Sequence, residues 1–131
     1  MNPQLVLLLT QDARLRLSLT QTSACADATV LLAHEPGDAL GVVCSYGKEL
    51  DLTVIDFDDG CHGMTLLNAI HMCCPEVPLV AIVPVSGDIY HAAALAYANG
   101  ATACLTKPVN FVDLEIVVDE LSKAKQQLHA V

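Results

Sequence analysis

The sequence predicts one α/β domain over residues 1–131: a doubly wound sheet of five parallel strands covered by helices on both faces. Three observations carry that prediction. Short apolar segments alternate five times with longer segments that have helical spacing and helical end signals. The apolar segments run continuously instead of alternating with polar residues, as strands buried on both faces do. No linker, internal repeat or low-complexity stretch breaks the alternation.

Each element has its own justification. Leu5 to Leu9 is the first strand, and a helix follows from about Asp12 with Leu15, Leu17 and Leu19 as its apolar positions. Ala28 to Ala33 is the second strand. Pro36-Gly37-Asp38 then turns into a helix through about Gly47, with Ala39, Leu40, Val43 and Cys44 on its inner face. Leu52 to Phe57 is the third strand and Met64 to Cys73 the third helix, stopped by Pro75 and Pro78 before the fourth strand, Leu79 to Val83. Gly87-Asp88 caps a fourth helix through Ala98, which Asn99-Gly100 ends. Ala103 to Thr106 is the fifth strand. Phe111 to about Leu128 is the fifth helix, with Asn110 as its N-cap. Right-handed crossovers then favour the flavodoxin-like strand order 2-1-3-4-5, in which strands one, three and five end close together at the carboxyl edge.

Two strand ends carry chemistry. Asp56 closes the run Leu52-Thr53-Val54-Ile55, and Lys107 closes Leu105-Thr106 before Pro108. Open α/β sheets place ligand chemistry at that edge, so the pair predicts an anion site in which Lys107 reads charge placed on Asp56.

Composition narrows the function classes. Hydrophobic residues make up 53% and charged residues 16%, which excludes disorder. No apolar run approaches membrane-spanning length, and the chain reads as cytoplasmic with no membrane association. A net charge of −9 repels phosphate backbones and argues against direct nucleic-acid binding by this domain. Without an export signal, the six cysteines read as buried free thiols. Cys61, His62, His71, Cys73 and Cys74 fall at two ends of one helix, too far apart for a shared zinc ion. No glycine-rich phosphate loop follows the first strand, so the chain is not read as a nucleotide-dependent enzyme.

Several motifs in order give the chain a resemblance to the receiver domains of bacterial two-component response regulators, over essentially its full length. They are Arg14-Leu15-Arg16, Asp51 to Asp56, Gly63-Met64-Thr65-Leu66-Leu67, Pro78 to Ile82, and above all Gly100-Ala101 spaced to Lys107-Pro108. The resemblance implies a non-enzymatic phosphorelay module. Asp56 would be the phosphoacceptor, Lys107 its partner, and a sensor histidine kinase or phosphotransfer protein the donor. The face formed by the fourth helix, fifth strand and fifth helix would carry the output, including a homodimer contact. The fourth helix, nearly free of charge, is apolar on more than one side and suits such a surface.

The sequence departs from that pattern in its chemistry. Receivers hold Mg²⁺ with an acidic pair after the first strand, where this chain has Thr10 and Gln11, with Asp12 one position beyond. Mg²⁺ would be held weakly, by Asp56, Asp58 and Asp12, although Asp12 reads first as a helix-start carboxylate. The hydroxyl expected at the end of the fourth strand is Val83, with Ser86 further along, and the aromatic of the fifth strand is Cys104. An alternative therefore stands beside the phosphoacceptor: a phosphorylation-independent pseudo-receiver used for protein interaction or dimerisation.

Overall fold

Continuous apolar strands need cover on both faces, and the sheet receives it. The computed structural model describes residues 5–57, 63–84 and 89–129. Strands β1 (Leu5–Leu9), β2 (Thr29–Ala33), β3 (Leu52–Asp56), β4 (Leu79–Val83) and β5 (Ala103–Thr106) are all parallel, in the order β2-β1-β3-β4-β5. Between them run α1 (Ala13–Gln21), α2 (Pro36–Tyr46), α3 (Gly63–Cys73), α4 (Ile89–Ala98) and α5 (Phe111–His129). Fold class and strand order are those the sequence predicts. Among the described residues no helix is long and apolar enough to cross a membrane.

Alternation along each strand divides the core into two layers. Val6, Leu8, Val54, Val80 and Ile82 pack with Leu15 and Leu19 of α1 and Leu114 and Val118 of α5. Leu7, Leu9, Ile55, Ala81 and Val83 face the other way, toward Val43 of α2, Leu67 and Ile70 of α3 and Ala96 of α4. The interior strands β3 and β4 are buried at every position, while β2 and β5 lie at the sheet edges and are only partly covered. Each fully buried aliphatic side chain contributes about 1.5–3 kcal/mol.

The helix ends follow their cap chemistry. Asp12 Oδ1 accepts the Arg14 N–H at 2.9 Å, and Asn110 Oδ1 accepts the Val112 N–H at 2.8 Å. Gly100 closes α4 with φ +112°, and a Cβ there would run into the side chain of His71. The expected Gly87-Asp88 cap lies outside the described residues.

Three sequence expectations about packing need correction. Leu17 is 59% exposed, because Leu15 and Leu19, one helical turn apart, define the inward face of α1 and Leu17 sits on the opposite side. Cys44 is exposed for the same reason, next to the inward pair Ala39 and Val43. The thiols are not uniformly buried either: Cys25 is buried, Cys74 and Cys104 are half-buried, and Cys73 is exposed.

Candidate functional site: a buried carboxylate between a lysine and a threonine

Register places the site. Leu9 of β1 lies opposite Ile55 of β3, so the next residue, Thr10, comes level with Asp56. The Thr10 N–H continues the ladder to the Ala33 carbonyl at 3.2 Å, and the Lys107 N–H does so to the Val83 carbonyl at 3.0 Å. Thr10, Asp56 and Lys107 each stand two residues beyond a side chain of the α1–α5 layer: Leu8, Val54 and Leu105. Alternation therefore turns all three to the same face.

There they meet. Lys107 Nζ lies 2.7 Å from Asp56 Oδ1, as the two strand ends predict. The Thr10 hydroxyl donates to Asp56 Oδ2 at 2.6 Å and accepts the Asp12 N–H at 2.9 Å. The Asp56 side chain has 0% exposure and that of Lys107 has 21%, so an arriving group meets the ammonium before the carboxylate. A buried charge is tolerated when it is paired and hydrogen-bonded. Asp56 Oδ2 takes the Thr10 hydrogen bond, while Oδ1 has the ion pair with Lys107 and, among the described residues, no hydrogen bond of its own. Lys107 also lines a cleft of about 450 Å³ together with Pro84, Pro108, Asp12, Arg14 and Ser18.

The described residues do not fit the Mg²⁺ ion that the resemblance implies. That ion demands near-octahedral oxygen coordination. Asp56 Oδ1 faces an ammonium and Oδ2 a hydroxyl donor. Gln11 Nε2 is turned to the His34 carbonyl at 3.4 Å, and Asp12 is engaged in capping α1. Asp58 lies outside the described residues. Among the described residues, no group of three His, Cys, Asp or Glu is placed to hold a metal ion. Of the cysteine and histidine cluster, Cys61 and His62 lie outside the described residues, and His71 packs near Gly100.

Val83 and Cys104 are the two residues that the resemblance aligns with a hydroxyl and an aromatic ring. Val83 is 1% exposed and packed in the α2–α4 layer, so this position of β4 offers Asp56 no hydroxyl. Cys104 is half-buried, and desolvation pushes its thiol above the usual range. Ser86 lies outside the described residues. Sequence reasoning missed the Thr10 hydroxyl, noting Thr10 only for the acid it replaces. The available signal was a threonine one rung past a buried strand, beside the neighbouring strand's aspartate.

A second feature lies along the β5 edge. Leu95 and Tyr97 of α4 and Phe111, Val112 and Ile116 of α5 are exposed, at 39–58%. Among the described side chains of α4, Ala96 is buried and His91, Ala94, Leu95, Tyr97 and Ala98 are exposed.

No protein-family model matches the sequence, and no curated protein matches it. Solved structures do. A response regulator receiver domain protein from Clostridium thermocellum aligns with TM-score 0.81 at 21% identity, covering 95% of this chain and 98% of that one. The signal receiver domain of an HD domain-containing protein from Pseudomonas fluorescens gives TM-score 0.81 at 20% identity, covering 98% and 93%. A CheY-like response regulator receiver domain protein from Methanospirillum hungatei gives 0.74 at 21%, covering 95% and 98%. The five-stranded order, the two helical layers and these alignments agree: the chain has the receiver fold.

Proposed function

We propose that this domain is a receiver module of two-component signalling that accepts a phosphoryl group on Asp56, with Lys107 as its counter-ion. The observation that carries the reading is the 2.7 Å ion pair at the carboxyl edge of the sheet. The donor is a phosphohistidine on a sensor kinase or phosphotransfer protein. An Asp56 oxygen attacks phosphorus, the P–N bond breaks, and the departing imidazole takes up a proton from water. The product is an acyl phosphate of about −1.5 to −2 charge in place of the carboxylate's single negative charge, so the site beside Lys107 gains up to about one negative charge. Attack through Oδ2 requires the Thr10 bond to open, at about 1.5–3 kcal/mol for a hydrogen bond to a charged group. The exposed apolar residues of α4 and α5 supply a surface for a partner or a second copy.

The test is intact mass after incubation with a small acyl-phosphate donor, with Mg²⁺ and with chelator, using Asp56→Asn as control. A phosphoryl adduct present in the wild type and missing in the variant supports the proposal. Absence of an adduct under both conditions transfers support to the second reading, a pseudo-receiver that binds partners without phosphorylation. That reading is favoured by the fully buried Asp56 side chain and by Val83 and Cys104 at the switch positions. It expects Asp56→Ala to leave oligomeric state and partner binding unchanged.

A further inference from the structure

We infer that Thr10 takes the place of a divalent cation at Asp56 and ties that carboxylate to the amino end of α1. A strand-end carboxylate that sits against other carboxylates needs a cation to offset their repulsion. Here the neighbour on β1 is a neutral donor. Thr10 is buried, at 4% exposure, and its hydroxyl reaches Asp56 Oδ2 at 2.6 Å, the short range of an O–H donor on an ionised acceptor. Lys107 balances the charge from the other side. The pair does what a cation would otherwise do, fixing the carboxylate and neutralising it.

The same hydroxyl is held in orientation. Its oxygen accepts the Asp12 N–H at 2.9 Å, which leaves its one proton for Asp56. Asp12 in turn caps α1 through the Arg14 N–H at 2.9 Å. Asp56 Oδ2, Thr10 Oγ1, the Asp12 amide and the Asp12 carboxylate thus form a continuous chain into the first turn of α1. On β4 the residue level with Asp56 is Ile82, an aliphatic side chain of the same layer, and the next one, Val83, faces the opposite layer. A change at Asp56 is therefore passed to α1 through β1, with no hydroxyl of Val83's position to carry it toward α4. This holds whether or not Asp56 is phosphorylated, so failure of the phosphoryl-transfer reading leaves it standing.

The experiment compares the full chain with Thr10→Val, Thr10→Ser and Thr10→Asp. Thermal midpoints are read in chelator and in millimolar Mg²⁺, and amide hydrogen exchange is read at Asp12 and Arg14. The wild-type midpoint is expected to be the same in both media, while T10D is lowered in chelator and restored by Mg²⁺. T10V is expected to speed exchange at Asp12 and Arg14 by about tenfold, the loss of one modest hydrogen bond, with the strands unaffected and T10S close to wild type. A wild-type midpoint raised by Mg²⁺ as much as that of T10D overturns the inference. So does T10V with unchanged exchange at both amides. If T10D does not fold, the wild-type Mg²⁺ response and the T10V and T10S exchange rates decide.

Discussion

Lys107 and Asp56 are unequal members of their pair, because the lysine side chain reaches solvent and the carboxylate does not. Removing the lysine strands a buried charge against one hydroxyl; removing the aspartate's charge lets the ammonium turn outward. Lys107→Met should therefore cost about 3–5 kcal/mol in urea unfolding, clearly more than Asp56→Asn. The cysteines make a second single-residue case. Burial raises the thiols of Cys25 and Cys104, with the Thr22 hydroxyl partly opposing at Cys25. Among the cysteines of the described residues, alkylation followed by mass mapping should modify the exposed Cys44 and Cys73 first and Cys25 last. The sign for stability follows from the raised values. Stability from keeping these two thiols neutral is fully present below the ordinary thiol pKa and is lost as pH rises through the raised one. At this scale Asp56 and Lys107 were legible from strand ends alone. Thr10 was not, since its role depends on which residue of a neighbouring strand stands beside it, and that is a matter of register.

Elements are held at their ends by specific residues. Gly100 sits at φ +112° with the His71 side chain where its Cβ would go. Gly100→Ala should destabilise by about 1–3 kcal/mol, read as a lowered thermal midpoint. Asn110→Ala removes the acceptor for the Val112 N–H and should cost about 1 kcal/mol in denaturant unfolding. Both signals were readable in the sequence because caps and stops are local chemistry. Which face of a helix turns inward was less so. Leu17 and Cys44 are apolar, yet Leu15 with Leu19 and Ala39 with Val43 already fill the inward stripe, and a helix on a sheet buries one stripe only.

For the whole molecule, strand order was legible because short connections and right-handed crossovers leave few ways to cover five apolar parallel strands. Surface use was not, as the sequence of α4 suits a core helix and an interface equally. Leu95 and Tyr97 of α4 and Val112 and Ile116 of α5 are exposed. Sedimentation of wild-type protein should show concentration-dependent dimerisation, and the double change Val112→Glu with Ile116→Glu should leave a monomer. The cleft beside Lys107 has a kinetic consequence as well. It gathers two of the chain's six cationic side chains, Arg14 and Lys107, on a molecule with fifteen acidic ones. A small dianion diffusing in is turned away by most of the surface and least at that mouth, where Asp12 and the paired Asp56 offset the two cations. Salt at about 0.1 M screens charges farther apart than about 10 Å, so it weakens the distant repulsion before the interactions at the mouth. Encounter with such a dianion should then quicken from dilute buffer to moderate salt, opposite to steered association, and rates taken at low ionic strength record this domain at its slowest.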